Sequence, residues 1–203
     1  MIGINEKPLL LKRLISDGFD MMCIFLIFML FSFILLKTPM ADKHNNYQEK
    51  CLIIEKEVLN QADNDLNLAS ELLSSNQEYK ELVFTRNLYA YLIKVLAIFI
   101  AEIIILLFIP LFNKNLTIGK SLTGILLFNE SSQILVNKLQ ILFRFIFIFI
   151  ETIILYLWTG IYTFLLMFIL RLIAVLLNNK NKSICDYISM VMYIEKLSYK
   201  SII

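Results

Sequence analysis

Apolar positions along the chain come in long unbroken runs, roughly 18–36, 88–112 and 139–177, with polar stretches between them. Each run reaches the roughly 20 residues that a helix needs to cross about 30 Å of hydrocarbon. Stretches such as "YLIKVLAIFIAEIIILLFIPLF" show no alternation of apolar and polar positions, so they read as helices and not as strands of a closed barrel. The last run decides the number of crossings. Its 39 residues would make a straight helix of about 58 Å, nearly twice the hydrocarbon thickness. At its middle stands "YLWTGIYTF", Tyr156 to Phe164, with the aromatic residues and glycine expected where a chain turns at a membrane interface. The pattern predicts an all-α, multi-pass transmembrane helical bundle. It has four spans if the last run splits into about 135–157 and 160–178, and three if 139–177 is one long helix.

The polar stretches carry their own patterns. Within 37–86, "CLIIEKEVLNQ" and "DLNLASELLSSNQEYKELVF" have apolar residues at mixed three- and four-residue spacing, which predicts one or two amphipathic helices. So few large apolar side chains make a weak independent core. The chain therefore reads as one membrane domain over 1–203, with 37–86 inserted between the first two spans. Between the second span and the last run, "TIGK" and Gly124 mark turns, and "SLTGILLFN" reads as an amphipathic segment at the membrane interface.

Composition agrees with the pattern. With 59% hydrophobic residues and a mean hydropathy of +0.72, the chain holds more apolar side chains than one core could hide from water. The lipid bilayer is its first expected partner. A net charge of +2 gives no reason to expect nucleic acid. Charge does orient the spans. Lys7, Lys12 and Arg13, then Lys114, Lys120 and Lys138, then Lys180, Lys182, Lys196 and Lys200 all fall on one side of a four-span arrangement. The positive-inside rule then makes both termini cytoplasmic and puts 37–86 outside. That outer loop holds six Lys/Arg and nine Asp/Glu. The first run has some features of a cleaved signal peptide, but two carboxylates at its start and Pro39 beside a poor small-residue site argue against one. High Ile, Leu, Asn and Lys usage fits an AT-rich bacterial genome and a bacterial cytoplasmic membrane.

Catalytic chemistry finds little support in the residues. Cys23, Cys51 and Cys185 are scattered, with neither metal spacing nor an obvious disulfide pair, and the single histidine, His44, has no ligand-type neighbours. Gly119, Lys120 and Ser121 end like a phosphate loop, but the earlier glycine and the preceding strand are missing. No Ser/His, paired-Asp or metal constellation has suitable spacing. No enzyme activity, metal or cofactor is expected.

The informative residues are ionisable ones inside the apolar runs, where each costs a few kcal/mol and usually faces a partner charge or water. Glu102 lies near the middle of the second run, Arg144 and Glu151 in the third helix, and Arg171 in the fourth. Lys94 lies nearer the outer end and can snorkel. Counted by helical rise, Asp20, Arg144 and Arg171 share one depth, which suggests mutual neutralisation, while Glu102 and Glu151 lie nearer the midplane. Two readings stay open: an ion-pair network that fixes helix packing, and a proton or cation path through Glu102 and Glu151. At the mouth of the first run, Asp17 is four residues from Arg13 and is its natural local partner. Asp20, two turns from Arg13, must find a partner on another helix.

These blocks together resemble the RDD family of bacterial membrane proteins. Arg13 and Asp20 in "RLISDGFD" match its first-helix pattern. Thr117, Gly119, Lys120 and Gly124 in "TIGKSLTG" match its middle block. Arg144 matches a basic residue early in the next helix, and Asp186 in "NNKNKSICDYISMVMYI" matches its C-terminal block. Here Cys185 precedes that last aspartate, where the family often has histidine. The resemblance implies that Arg13, Asp20 and Asp186 gather at the cytoplasmic mouth, and it adds weight to transport of a small ion. In that hypothesis Glu102 and Glu151 bind the proton or cation, Arg144 and Arg171 tune their affinity, and the Arg13–Asp20–Asp186 cluster acts as a gate. Four helices leave little room for a solute pathway, so a second copy or another membrane protein is an expected partner. The competing hypothesis is a non-catalytic scaffold or accessory subunit that docks its partner through 37–86.

Overall fold

A computed structural model describes residues 10–113, 115–129, 135–177 and 184–195. Lys7, Lys114, Lys180, Lys182, Lys196 and Lys200, used above to orient the chain, lie outside the described residues. Among those described, three helical stretches are long and apolar enough to cross a membrane: Leu10–Leu35, Gln77–Phe112 and Lys138–Leu177. The molecule is an all-α helical bundle supplemented by one short strand pair. It falls into two compact units, Met1–Phe28 with Phe99–Ile203, and Met29–Ile98.

The first unit holds the start of α1 (Leu10–Leu35) and the end of the second long helix. That helix runs as α4 (Gln77–Glu102), a wider π-helical turn over Ile103–Phe108, and α5 (Ile109–Phe112). The π turn has a local cause. Pro110 has no N–H, and its ring crowds the carbonyl four residues earlier, so a regular α-helix cannot continue through it. The N–H of Ile109 donates instead to the carbonyl of Ile104. After this helix comes the short α6 (Ile118–Thr123), capped by Thr117 and ended by Gly124 in the left-handed conformation.

The segment read as amphipathic, "SLTGILLFN", departs from expectation. Its second half is a strand, β1 (Ile125–Asn129), antiparallel to β2 (Val191–Glu195), with Ile125 opposite Glu195 and Asn129 opposite Val191. A run of four apolar residues takes either form, and here a partner some sixty residues downstream decides it. Ile125, Leu127 and Val136 pack as a small buried cluster beneath.

The last apolar run breaks at the predicted place. Helix α7 (Lys138–Thr159) starts with a capping box between Asn137 and Gln140 and ends at Gly160, whose φ of +57° favours glycine. One tight turn, Gly160–Tyr162, leads into α8 (Thr163–Leu177). The break reverses the chain. Arg144 and Arg171 line one cavity, whereas a straight helix would hold them about 40 Å apart. Phe164 of α8 packs on Phe25 and Phe28 of α1, with ring centres 5.6 and 5.2 Å apart. A final helical turn, α9 (Ile184–Ile188), carries Asp186.

The second unit contains α2 (Pro39–Gln61), α3 (Leu66–Ser75) and the first part of α4. Val58, Ala62 and Ala69 form its small core with Ile54, Leu59 and Leu73 around them. Asp65 caps α3, and the Tyr79 hydroxyl donates to Glu55 Oε1 at 2.6 Å. Cys51, read as a residue of a polar loop, is fully buried.

Exposure is inverted along the spans. Leu26, Leu30, Phe33, Phe143, Ile154 and Leu165 are exposed, while Arg13, Asp17, Asp20, Glu102 and Arg171 are buried. A chain in water would be penalised twice by that arrangement; a chain in lipid would be favoured by its first half.

Candidate functional site

Three residues on α1 begin the site. Arg13, Asp17 and Asp20 are four and three residues apart, so they share one helical face. All three are buried, Arg13 at 1% and Asp20 at 3% exposure. Charges withdrawn from water this far are tolerable only with close partners. The Arg13 guanidinium pairs through Nη2 with Asp186 Oδ2, and its Nε lies 3.7 Å from Asp17 Oδ2. Arg144 of α7 takes the other oxygen of Asp186, Nη2 to Oδ1 at 3.1 Å. The fully buried Asp186 therefore bridges two guanidiniums from different helices.

The short helix α6 supplies the rest. Its cap, Thr117, accepts from the Lys120 N–H at 3.4 Å and donates its own hydroxyl to Asp20 Oδ2 at 2.6 Å. The Gly119 N–H donates to Asp20 Oδ1 at 2.8 Å. Lys120 Nζ lies 3.4 Å from Asp20 Oδ2 and 3.6 Å from Asp17 Oδ1. This approach demands glycine, since a Cβ at 119 would stand 2.1 Å from the Ser16 carbonyl oxygen. The result is an alternating chain, Arg144–Asp186–Arg13–Asp17–Lys120–Asp20, in which each carboxylate has a cation on it.

A second centre is built on less. Glu102 is buried at 1% exposure where α4 gives way to the π turn. The Thr152 hydroxyl donates to its Oε1 at 2.6 Å and also reaches the Ile148 carbonyl at 2.8 Å. Its Oε2 is buried with no hydrogen-bond partner among the described residues. Arg171 of α8 lies within electrostatic reach of Glu102, yet its Nε and Nη2 are buried and equally without a partner among the described residues. Glu151, next to Thr152, is half-buried.

Between the two centres lies a cavity of about 20 Å³, room for about one water-sized particle. Asp17, Asp20, Lys120, Arg144 and Arg171 supply its charged lining, Asn115 and Thr117 add neutral polar groups, and Leu106, one turn beyond Glu102, stands on its apolar side.

The sequence profile of the RDD family matches residues 7–190. The chain belongs to the RDD family. No curated protein and no solved structure matches it.

In this RDD protein the motif residues are neighbours in space. Arg13 meets Asp186, and Asp20 meets Thr117, Gly119 and Lys120. Gly124 donates its N–H to the Lys120 carbonyl and, in the left-handed conformation, ends α6. The pairings differ from those expected from depth. Asp20 takes its cation from Lys120 and not from Arg144 or Arg171, while Arg144 goes to Asp186. Helical rise locates a charge along the membrane normal but leaves open which helix stands beside it. Of the four residues assigned to an ion path, Arg144 and Arg171 line the cavity, Glu102 lies one turn from it, and Glu151 does not line it. Sequence reasoning missed Thr152, although a threonine beside Glu151 on an apolar helix was a visible signal.

Proposed function

We propose that this RDD protein has a non-enzymatic role in passing a small ion or a proton across a bacterial cytoplasmic membrane. In this reading it has four spans, the last two formed by the hairpin at Gly160, and both termini are cytoplasmic. Glu102 is the group that takes up and releases the ion. One observation carries the reading: a carboxyl group fully inside a span with one oxygen held by Thr152 and the other without a partner among the described residues. A structural carboxylate is normally satisfied on both oxygens. A carboxylate that must bind and release cannot be saturated by the protein. The π turn beside it points the same way, since such turns recur at functional sites. The adjoining cavity suits a water-sized species and no larger solute.

The test is proton and sodium flux into proteoliposomes holding the purified chain. Flux in the parent that falls in Glu102→Gln is the expected result, and equal flux in the two would refute the assignment.

A second reading has its own observation. Leu52, Ile53, Leu66, Leu68 and Leu72 on α2 and α3 are exposed although this part of the chain is polar overall. Such residues favour docking of a membrane or accessory protein on 37–86. Copurification of one stoichiometric partner that is lost on deleting 42–82 would support it.

A further inference from the structure

Among the described residues, Arg171 is a buried cation without an ion pair. A guanidinium stays protonated in any protein environment, and this one is 9% exposed inside a span. It forms no ion pair and no hydrogen bond among the described residues, and its Nε and Nη2 are buried without acceptors. A charge so placed requires a negative partner. The carboxylates sharing the cavity are committed elsewhere. Asp20 accepts from Thr117, Gly119 and Lys120, and Asp17 lies between Arg13 and Lys120. Apart from the free Oε2 of Glu102, one turn away from the cavity lining, the open hydrogen-bonding capacity at this end of the cavity is that of the Arg171 donors.

We propose that Arg171 anchors a site for one small monovalent anion, chloride or one of similar size, inside the cavity between α1, α6, α7 and α8. The proposal rests on the reading of this protein as an ion carrier and names the ion class. Two observations independent of the unpartnered guanidinium support it. The cavity brings Lys120 and Arg144 to the same space as Arg171, and its volume of about 20 Å³ admits a single small ion and excludes phosphate or sulfate. Glu102 faces Arg171 electrostatically, so protonation of Glu102 takes an ionised carboxylate away from that guanidinium, and one anion would replace it. Proton and anion would thus enter and leave as a pair. Glu102 is faced by Thr152 and, more distantly, Glu151 from α7 and by Arg171 from α8.

The experiment uses the purified full chain in micelles at constant ionic strength, replacing sodium gluconate stepwise with sodium chloride and following the chloride NMR line width. The parent should broaden the resonance saturably, with the excess removed by bromide. Arg171→Gln should weaken apparent binding by about tenfold or more, the loss expected for one charge-assisted hydrogen bond. Arg171→Lys should retain part of it, and Glu102→Gln should bind at least as tightly as the parent. Absence of bromide-competed broadening in the parent overturns the site, whether or not Arg171→Gln folds. Equal broadening by the parent and a folded Arg171→Gln also overturns it. Proteoliposome flux separates the two claims. Chloride binding without any flux keeps the anion site and removes the transport reading. Flux that ignores chloride and Arg171→Gln does the reverse.

Discussion

Asp20 and Glu102 are both carboxyl groups buried in apolar helices, at 3% and 1% exposure, yet they are held in opposite ways. Asp20 receives a hydroxyl, a backbone N–H and an ammonium, and both its oxygens are used. Among the described residues Glu102 receives one hydroxyl, and one oxygen is left over. Burial alone therefore says little about role. A saturated buried charge ties helices together, since every donor it holds comes from another element. A half-satisfied one keeps capacity for something that is not part of the fold.

The most direct way to break that contrast is to remove the bridge of the saturated cluster. Asp186→Ala leaves Arg13 and Arg144 facing each other without the carboxylate they share. Losing one member of a buried ionic set costs about 3–5 kcal/mol. Thermal unfolding in detergent should show Asp186→Ala as the largest loss among these variants. A midpoint unchanged from the parent would mean that the cluster does not hold the bundle.

Next comes the matched pair. Asp20→Asn keeps the shape but weakens three donors' hold, and hydrogen bonds to a charged group are worth about 1.5–3 kcal/mol each. A loss of about 2 kcal/mol is expected. Glu102→Gln keeps an acceptor for Thr152 and removes a buried charge, so its stability should stay within about 1 kcal/mol of the parent. Flux should respond in the opposite order, with Glu102→Gln abolishing it. If Glu102→Gln destabilises as much as Asp20→Asn, Glu102 belongs with the structural charges and the contrast collapses.

Much of this arrangement was legible in the sequence, and the rest fails for identifiable reasons. The helices, the turn at Gly160 and the shared face of Arg13, Asp17 and Asp20 follow from run length and helical periodicity, which are local properties. The motif blocks pointed to Arg13, Thr117, Gly119, Lys120 and Asp186. What periodicity could not supply was partner choice. Whether Asp20 meets Lys120 or Arg144 depends on the rotation of α1 relative to α6 and α7, and that rotation is fixed by Gly119 allowing α6 to touch the Ser16 carbonyl. The strand at Ile125–Asn129 escaped because its partner lies far downstream. The π turn could have been suspected from Pro110 alone.

The finest test concerns Glu151, which the sequence places beside Glu102 in the ion path and the structure sets apart from the cavity lining. It is half-buried, and no hydrogen bond or ion pair involves it among the described residues. Glu151→Gln should therefore change stability by no more than about 0.5 kcal/mol, the range of substitutions that break no specific contact. Proton flux in Glu151→Gln should accordingly persist at close to the parent rate, because Glu151 does not line the cavity. Loss of flux equal to that of Glu102→Gln would instead put both carboxyl groups on the path and extend the half-satisfied centre across α7.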